Sequence, residues 1–180
     1  MSVHPVTQLR LNDERFKDNA RGLPGAQIDI GVVWRAIGFR IGNVLLAASM
    51  DQVREVLTDP LVSRVPGSKT WVRGLANVRG RLVTVVDFPQ FLRVQRGAAT
   101  SRGGTRALLV ESGDLSVGLL VDEVFGARQF AEDDRSDDLS STFDALRPYV
   151  TSRIVTSGET WVVLDVSRVL SDPAFLNAAA

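Results

Sequence analysis

Few residues of this chain could carry covalent chemistry. The one histidine is His4 and there is no cysteine, so a Ser/His/Asp or Cys/His nucleophilic set lacks its parts. A histidine or thiolate metal site fails on the same count. The run Glu132, Asp133, Asp134, Asp137, Asp138 has the charge for Ca²⁺ but neither the alternating ligand spacing nor the sharp-turn glycine of an EF-hand loop, and it reads as a solvated loop. Phosphate cradles of the GxGxxG or GxxxxGK[ST] type are missing, and Arg102-Gly103-Gly104 is a flexible connector. What remains are carboxylates at strand ends, Asp87, Asp122, Glu123 and Asp165, and one guanidinium, Arg79, set among apolar side chains. A carboxylate-dependent hydrolase is therefore a minor alternative. Asp87 and Asp165 already have a structural task as helix caps. Arg79 needs an anionic partner, and Asp122 or Glu123 is the expected mate.

The elements that position these groups follow from periodicity and turn chemistry. Trp71, Leu75 and Val78 fall at helical spacing, Arg79-Gly80 reads as a bend with Asn77 as a local cap, and Arg81 to Asp87 is a β-branched buried strand. Upstream, Val33 to Ile41 and Val44-Leu45-Leu46 flank Gly42-Asn43, the signature of a tight hairpin. Met50 to Leu57 is a helical turn or short strand, and Leu61 to Val65 a short extended piece closed by Pro66-Gly67. Asp87 caps a short helix from Phe88 to Leu92, with Pro89 in its first turn. Downstream, strands are expected over Arg106 to Glu111, Leu115 to Val121 and Val124 to Phe130. A partial helix from Phe143 to Tyr149 follows the acidic loop, and Ser157-Gly158 turns Arg153-Ile154-Val155 back into Thr160 to Leu164. Residues 85–92 and 163–170 echo each other as strand, capping Asp and short amphipathic helix.

Ahead of this body, Val6, Leu9, Phe16 and Ala20 share a helical stripe that Gly22 and Pro24 end, which predicts a helix over 5–22 and a linker or edge at 27–31. The expected organisation is a helical extension and linker over 1–32, a folded body over 33–176 with a lobe boundary near the small, polar segment 97–104, and a tail at 177–180. Many short strands with glycine turns point to a mainly β fold of small barrels.

The 21 basic and 21 acidic residues balance, so net charge recommends no polyanion. The distribution is uneven: nine Arg or Lys between Arg64 and Arg106 face the single acid Asp87, and nine acids between Glu111 and Asp138 face Arg128 and Arg135. Fields of opposite sign steer charged partners. A basic-faced barrel that tracks nucleic acid is the other alternative. It is weakened because Trp71 is the one flat platform near those charges, with Phe88 and Phe91 assigned to the core. No apolar run spans a bilayer and no signal peptide is legible at the start, so a soluble, cytoplasmic protein without direct membrane insertion is expected.

The ordered series Val53-Arg54-Glu55-Val56, Arg64-Val65-Pro66, Gly74, Asn77, Arg79-Gly80, Asp87 and Val117 to Val124 resembles the CheW family of chemotaxis coupling proteins. The likeness runs roughly from Trp34 to Leu170, and Gly38 to Gly42, Ser63 to Gly74 and Gly22-Leu23-Pro24 are most similar to the branch that serves type IV pilus twitching motility. The resemblance implies two intertwined SH3-like five-stranded β-barrels with short helices, no active site and no cofactor. It also implies two partners: the regulatory domain of a CheA-type histidine kinase, and the cytoplasmic tip of a methyl-accepting receptor that recruits the protein to membrane-anchored arrays. Carried over by position, Val53, Glu55, Gly74 and Arg79 lie at or support a receptor-facing surface, Gly118 and Val124 belong to a kinase-docking surface, and Asn77, Gly80, Asp87 and Asp122 hold the motif together. The chain departs from the family pattern at Lys69, Thr84 and Ser152.

Overall fold

The computed structural model describes residues 33–96, 105–140 and 142–178. The helix predicted over 5–22, the segment 27–31 and the connector 97–104 lie outside them. Alternating apolar residues and two-residue turns give twelve strands among the described residues. One sheet holds β1 (Val33–Ile41), β2 (Val44–Ser49), β9 (Glu123–Ala131), β10 (Arg135–Ser136), β11 (Val150–Thr156) and β12 (Glu159–Leu164) in the order β10-β11-β12-β2-β1-β9. The other holds β3 (Val53–Thr58), β4 (Val62–Ser63), β5 (Val72–Val78), β6 (Arg81–Asp87), β7 (Arg106–Ser112) and β8 (Leu115–Val121) in the order β3-β7-β8-β6-β5-β4. Each sheet thus has five full strands and one two-residue strand.

The second sheet is continuous in sequence and sits inside the first, whose opening hairpin is completed by β12 running parallel to β2. In the second sheet β6 runs parallel to β8. The chain changes sheets between Ser49 and Val53 and again at Asp122. Segment 97–104 joins β6 and its following turn to β7, two strands of the same sheet. The echo holds in the structure. Asp87 caps α1 (Phe88–Phe91) through Gln90 N–H, and Asp165 caps α2 (Val166–Leu170) through Ser167 N–H. A third short helix, α3 (Pro173–Leu176), is capped by Asp172.

One expectation fails outright: the helical turn over Trp71 to Val78 is strand β5. Gly74 and Ala76 are buried and Val72, Leu75 and Val78 half-buried between exposed Arg73 and Asn77, and β6 pairs with Val72 and with Gly74 to Val78 while β4 pairs with Leu75 and Ala76. The helical spacing of Trp71, Leu75 and Val78 is a coincidence that tertiary pairing overrides. Of Met50 to Leu57, the first three residues form a turn and the rest belongs to strand β3, and the partial helix before Tyr149 shrinks to the 3₁₀ turn Arg147–Tyr149.

The largest core lies between the sheets: Phe39, Ile41, Leu46, Val162 and Leu164 from the first meet Val86, Leu108, Val110, Val117 and Leu119 from the second. Each sheet also has a smaller cluster on its other face, around Trp161 and Phe130 in one and around Val85, Ala107 and Leu120 in the other. Trp71, Phe91 and Phe175 pack with ring centroids 5.1 to 5.7 Å apart, which seats α3 on the stretch that leads into β5.

Candidate docking surfaces

The β5–β6 hairpin turns on Arg79 and Gly80, with φ of 51° and 83°. Positive φ at both central residues is the geometry of a type I′ turn, which matches strand twist. It is unusual for a long side chain such as Arg79. Asn77 accepts a hydrogen bond from Gly80 N–H at 2.8 Å, which holds the turn. The left-handed backbone aims the Arg79 side chain across the sheet to β3, where its guanidinium donates to Glu55 Oε1 at 2.8 Å. Arg79 is therefore not buried: its side chain is 79% exposed and its mate is Glu55, so the pairing with Asp122 or Glu123 expected from sequence is overturned. The reason is the turn itself, which places residue 79 at a hairpin tip instead of at a bend leading into the core.

Beside this pair, Glu111 on β7 lies 3.0 Å from Arg54 and 3.4 Å from Arg81. Arg54, Arg79 and Arg81 thus alternate with Glu55 and Glu111 around a groove of about 200 Å³ floored by Val78, Val83 and Leu109. Leu82, on the same hairpin, is 73% exposed. Exposed ion pairs of this kind contribute little stability, about 0.2–1 kcal/mol each. Their arrangement defines a surface of mixed charge with an apolar floor, suited to recognition. Sequence reading missed Arg54, Arg81 and Glu111, because the pairing depends on strand register and no local pattern announces it.

Of the remaining receptor-facing candidates, Val53 is buried in the main core at the irregular start of the β3–β7 pairing. Gly74 is buried with φ of 139°, and a β-carbon there would overlap the Ser63 carbonyl of β4. Neither lines the charged groove. Gly118 is buried in β8, in register with Val85 and Leu109. Val124 is half-buried on β9, where it packs against the main core opposite Phe39. The two kinase-docking candidates therefore lie in different sheets.

Asp87 and Asp122 are both buried. Asp122 Oδ2 accepts from Gly42 N–H at 2.6 Å, and its Oδ1 accepts from Arg96 at 3.2 Å. Glu123 pairs with Arg40 at 2.9 Å. Among the family departures, Thr84 takes an ordinary place in β6 opposite Leu75 and Val117. The hydroxyl of Ser152 is buried without a hydrogen-bond partner. Among the described residues no three His, Cys, Asp or Glu side chains gather to hold a metal ion, and no helix is long and apolar enough to cross a membrane.

Residues 35–174 match the CheW-like domain family. The chain is 38% identical to Protein PilI of Pseudomonas aeruginosa over 167 residues, 93% of this chain and 92% of that one. It is 26% identical to Chemotaxis protein CheW of Thermotoga maritima over 140 residues, 77% of this chain and 89% of the relative. Among solved structures, the scaffolding protein TtCheW from Thermoanaerobacter tengcongensis superposes with a TM-score of 0.65 at 18% identity, covering 74% of this chain and 89% of that one. That likeness speaks to the fold, and the sequence matches carry the assignment: the chain belongs to the CheW-like family.

Proposed function

We propose that this protein is a non-catalytic coupling scaffold that holds the cytoplasmic tip of a methyl-accepting receptor against the regulatory domain of a CheA-type histidine kinase, in the control of type IV pilus twitching motility. The pathway rests on the likeness to PilI, which covers nearly the whole of both chains. The observation that carries the receptor contact is the β5–β6 hairpin tip, where Arg79 and Arg81 stand exposed and Glu55 half-exposed around the charged groove. Val53 and Gly74 act indirectly, Val53 by holding β3 on the main core and Gly74 by letting β4 pack against β5. Gly118 and Val124 act through the shape of the second surface, since neither is exposed. A scaffold transmits a signal by binding one kinase conformation more tightly than another, which needs fixed geometry and no turnover. The protein works in the cytoplasm, drawn to membrane-anchored arrays by its receptor.

The nucleic-acid alternative loses ground because Trp71, its one platform, is packed edge-on to Phe91 and stacked on Phe175. The test is co-purification of receptor and kinase on the tagged protein. Charge reversal by Arg79→Glu should cut recovery of the receptor at least tenfold, and Glu55→Arg combined with Arg79→Glu should restore part of it. Full recovery with Arg79→Glu would remove the hairpin tip from the receptor contact.

A further inference from the structure

We propose that Arg96 is the clasp that ties the end of β6 to the β8–β9 junction, and through it to the β1–β2 turn, at the point where the chain crosses from one sheet to the other. Its guanidinium lies between two buried carboxylates, with one nitrogen 2.8 Å from Asp87 Oδ2 and the other 3.2 Å from Asp122 Oδ1. The carboxylates belong to different parts of the fold. Asp87 ends β6 and caps α1 in the second sheet. Asp122 is the single residue between β8 of the second sheet and β9 of the first.

Asp122 is itself anchored to the first sheet from both ends. Its N–H donates to Arg40 O at 3.0 Å, and its side chain accepts from Gly42 N–H in the β1–β2 turn. The segment that carries Arg96 is seated on that same turn. A β-carbon on Gly42 would come within 2.9 Å of Gln95 O and of Val94, and Val94 N–H is held by Pro89 O at 2.8 Å. Gly42 thus serves two purposes: its φ of 55° makes the turn, and its missing side chain admits the clasp.

A planar guanidinium presents a separate nitrogen to each of two carboxylates at once, which a single ammonium nitrogen does not. The Asp122 side chain is fully buried and that of Asp87 is 6% exposed, while Arg96 is 36% exposed and can swing to solvent. Release of Arg96 removes the cation that bridges the two carboxylates, although Asp87 keeps Arg73 at 4.0 Å, and so loosens the joint between them. The strands within each sheet keep their own ladders. Opening is therefore local, at the β1–β2 turn and the β8–β9 junction, and leaves the sheet interiors intact.

Amide hydrogen exchange of the whole chain, wild type and Arg96→Met, tests this without any partner, so its failure would leave the proposed coupling role standing. The amides of Gly42 and Asp122 should accelerate at least tenfold more than those of Leu108 and Leu119 in the interior of the second sheet. Equal acceleration at all four would make Arg96 an ordinary contributor to global stability, and unchanged rates at Gly42 would make it an idle surface pair; either result overturns the clasp. Arg96→Lys keeps the charge but cannot fork, and full protection in that variant would overturn the two-carboxylate geometry.

Discussion

Two glycines of the CheW-like signature do different work. At Gly74 the backbone is in a region closed to other residues, and β4 passes so near that a methyl group would meet its carbonyl. Strain and overlap together should make Gly74→Ala cost about 2–4 kcal/mol, read as a fall in the urea midpoint. At Gly118 a β-carbon would find Val85 at 3.5 Å and Ala107 at 3.8 Å, ordinary contact distances. Gly118→Ala should therefore stay within about 1 kcal/mol of wild type. If binding of the kinase regulatory domain falls while stability holds, Gly118 acts on the docking surface. A large stability loss at Gly118, or none at Gly74, would contradict these packing arguments. Arg79→Ala belongs with Gly118, because an ion pair this exposed changes stability by less than about 1 kcal/mol.

Among the elements, the two capped helices that echo each other separate caps from ion pairs. Asp165→Ala removes a cap, a hydrogen bond accepted from Gln52 at 3.1 Å and an ion pair with Arg168 at 3.5 Å, and should cost about 1–2 kcal/mol. Asp87→Ala removes the same kind of cap plus the buried partner of Arg96, so it should cost about 2–4 kcal/mol. Equal costs in matched urea titrations would show that the Arg96 contact adds nothing.

A second element-scale test concerns α3, which Asp172 ties to Tyr149 through a 2.7 Å hydrogen bond. That bond, with further help from Ala174 and Phe175 N–H and against some desolvation, holds the Asp172 carboxyl below its ordinary value. Burial, and then the same aspartate, push the Tyr149 phenol well above its own. The depressed acid contributes stability that is present above a pH of about 3.9 and lost as pH falls through the lower folded value. The raised phenol contributes stability that is present below a pH of about 10 and lost as pH climbs from there. Tyr149→Phe should lower stability by about 1 kcal/mol at neutral pH and flatten both limbs of the stability profile. A variant that keeps both slopes would show that other groups set them.

The elements were the most legible part of the chain. Gly42-Asn43 and Ser157-Gly158 dictate their hairpins, and Asp87 and Asp165 announce their helices, because those signals are carried by adjacent residues. The β5 strand was misread because an isolated apolar trio satisfies helical spacing while its true partners lie in β4 and β6. The site residues divide along the same line. Asn77 and Gly80 were readable as a turn. The mates of Arg79 and Asp122 were not, since Glu55 lies 24 residues from Arg79 and Arg96 lies 26 from Asp122. Only the tertiary fold brings them together.

For the molecule as a whole, the arrangement of cores decides whether the two sheets can behave as separate modules. The main cluster draws Phe39, Ile41, Leu46, Val162 and Leu164 from one sheet and Val86, Leu108, Val117 and Leu119 from the other, all nearly or fully inaccessible. The cluster on the far face of the second sheet is small by comparison, with Ala76, Val85, Ala107 and Leu120 as its buried members. Taken alone, residues 53–121 would expose their half of the shared core and keep only that remnant, too little apolar burial to offset chain entropy. The described body should therefore unfold in one transition, with calorimetric and van't Hoff enthalpies in agreement. The excised segment 53–121 should show no cooperative melt. Two resolved transitions in the intact chain, or a cooperative melt of the segment, would mean that each sheet is stable by itself. A partner bound to one surface could then leave the other unaffected. With a single transition, strain imposed at the hairpin tip has no independent module in which to dissipate, and must be shared across the inter-sheet core.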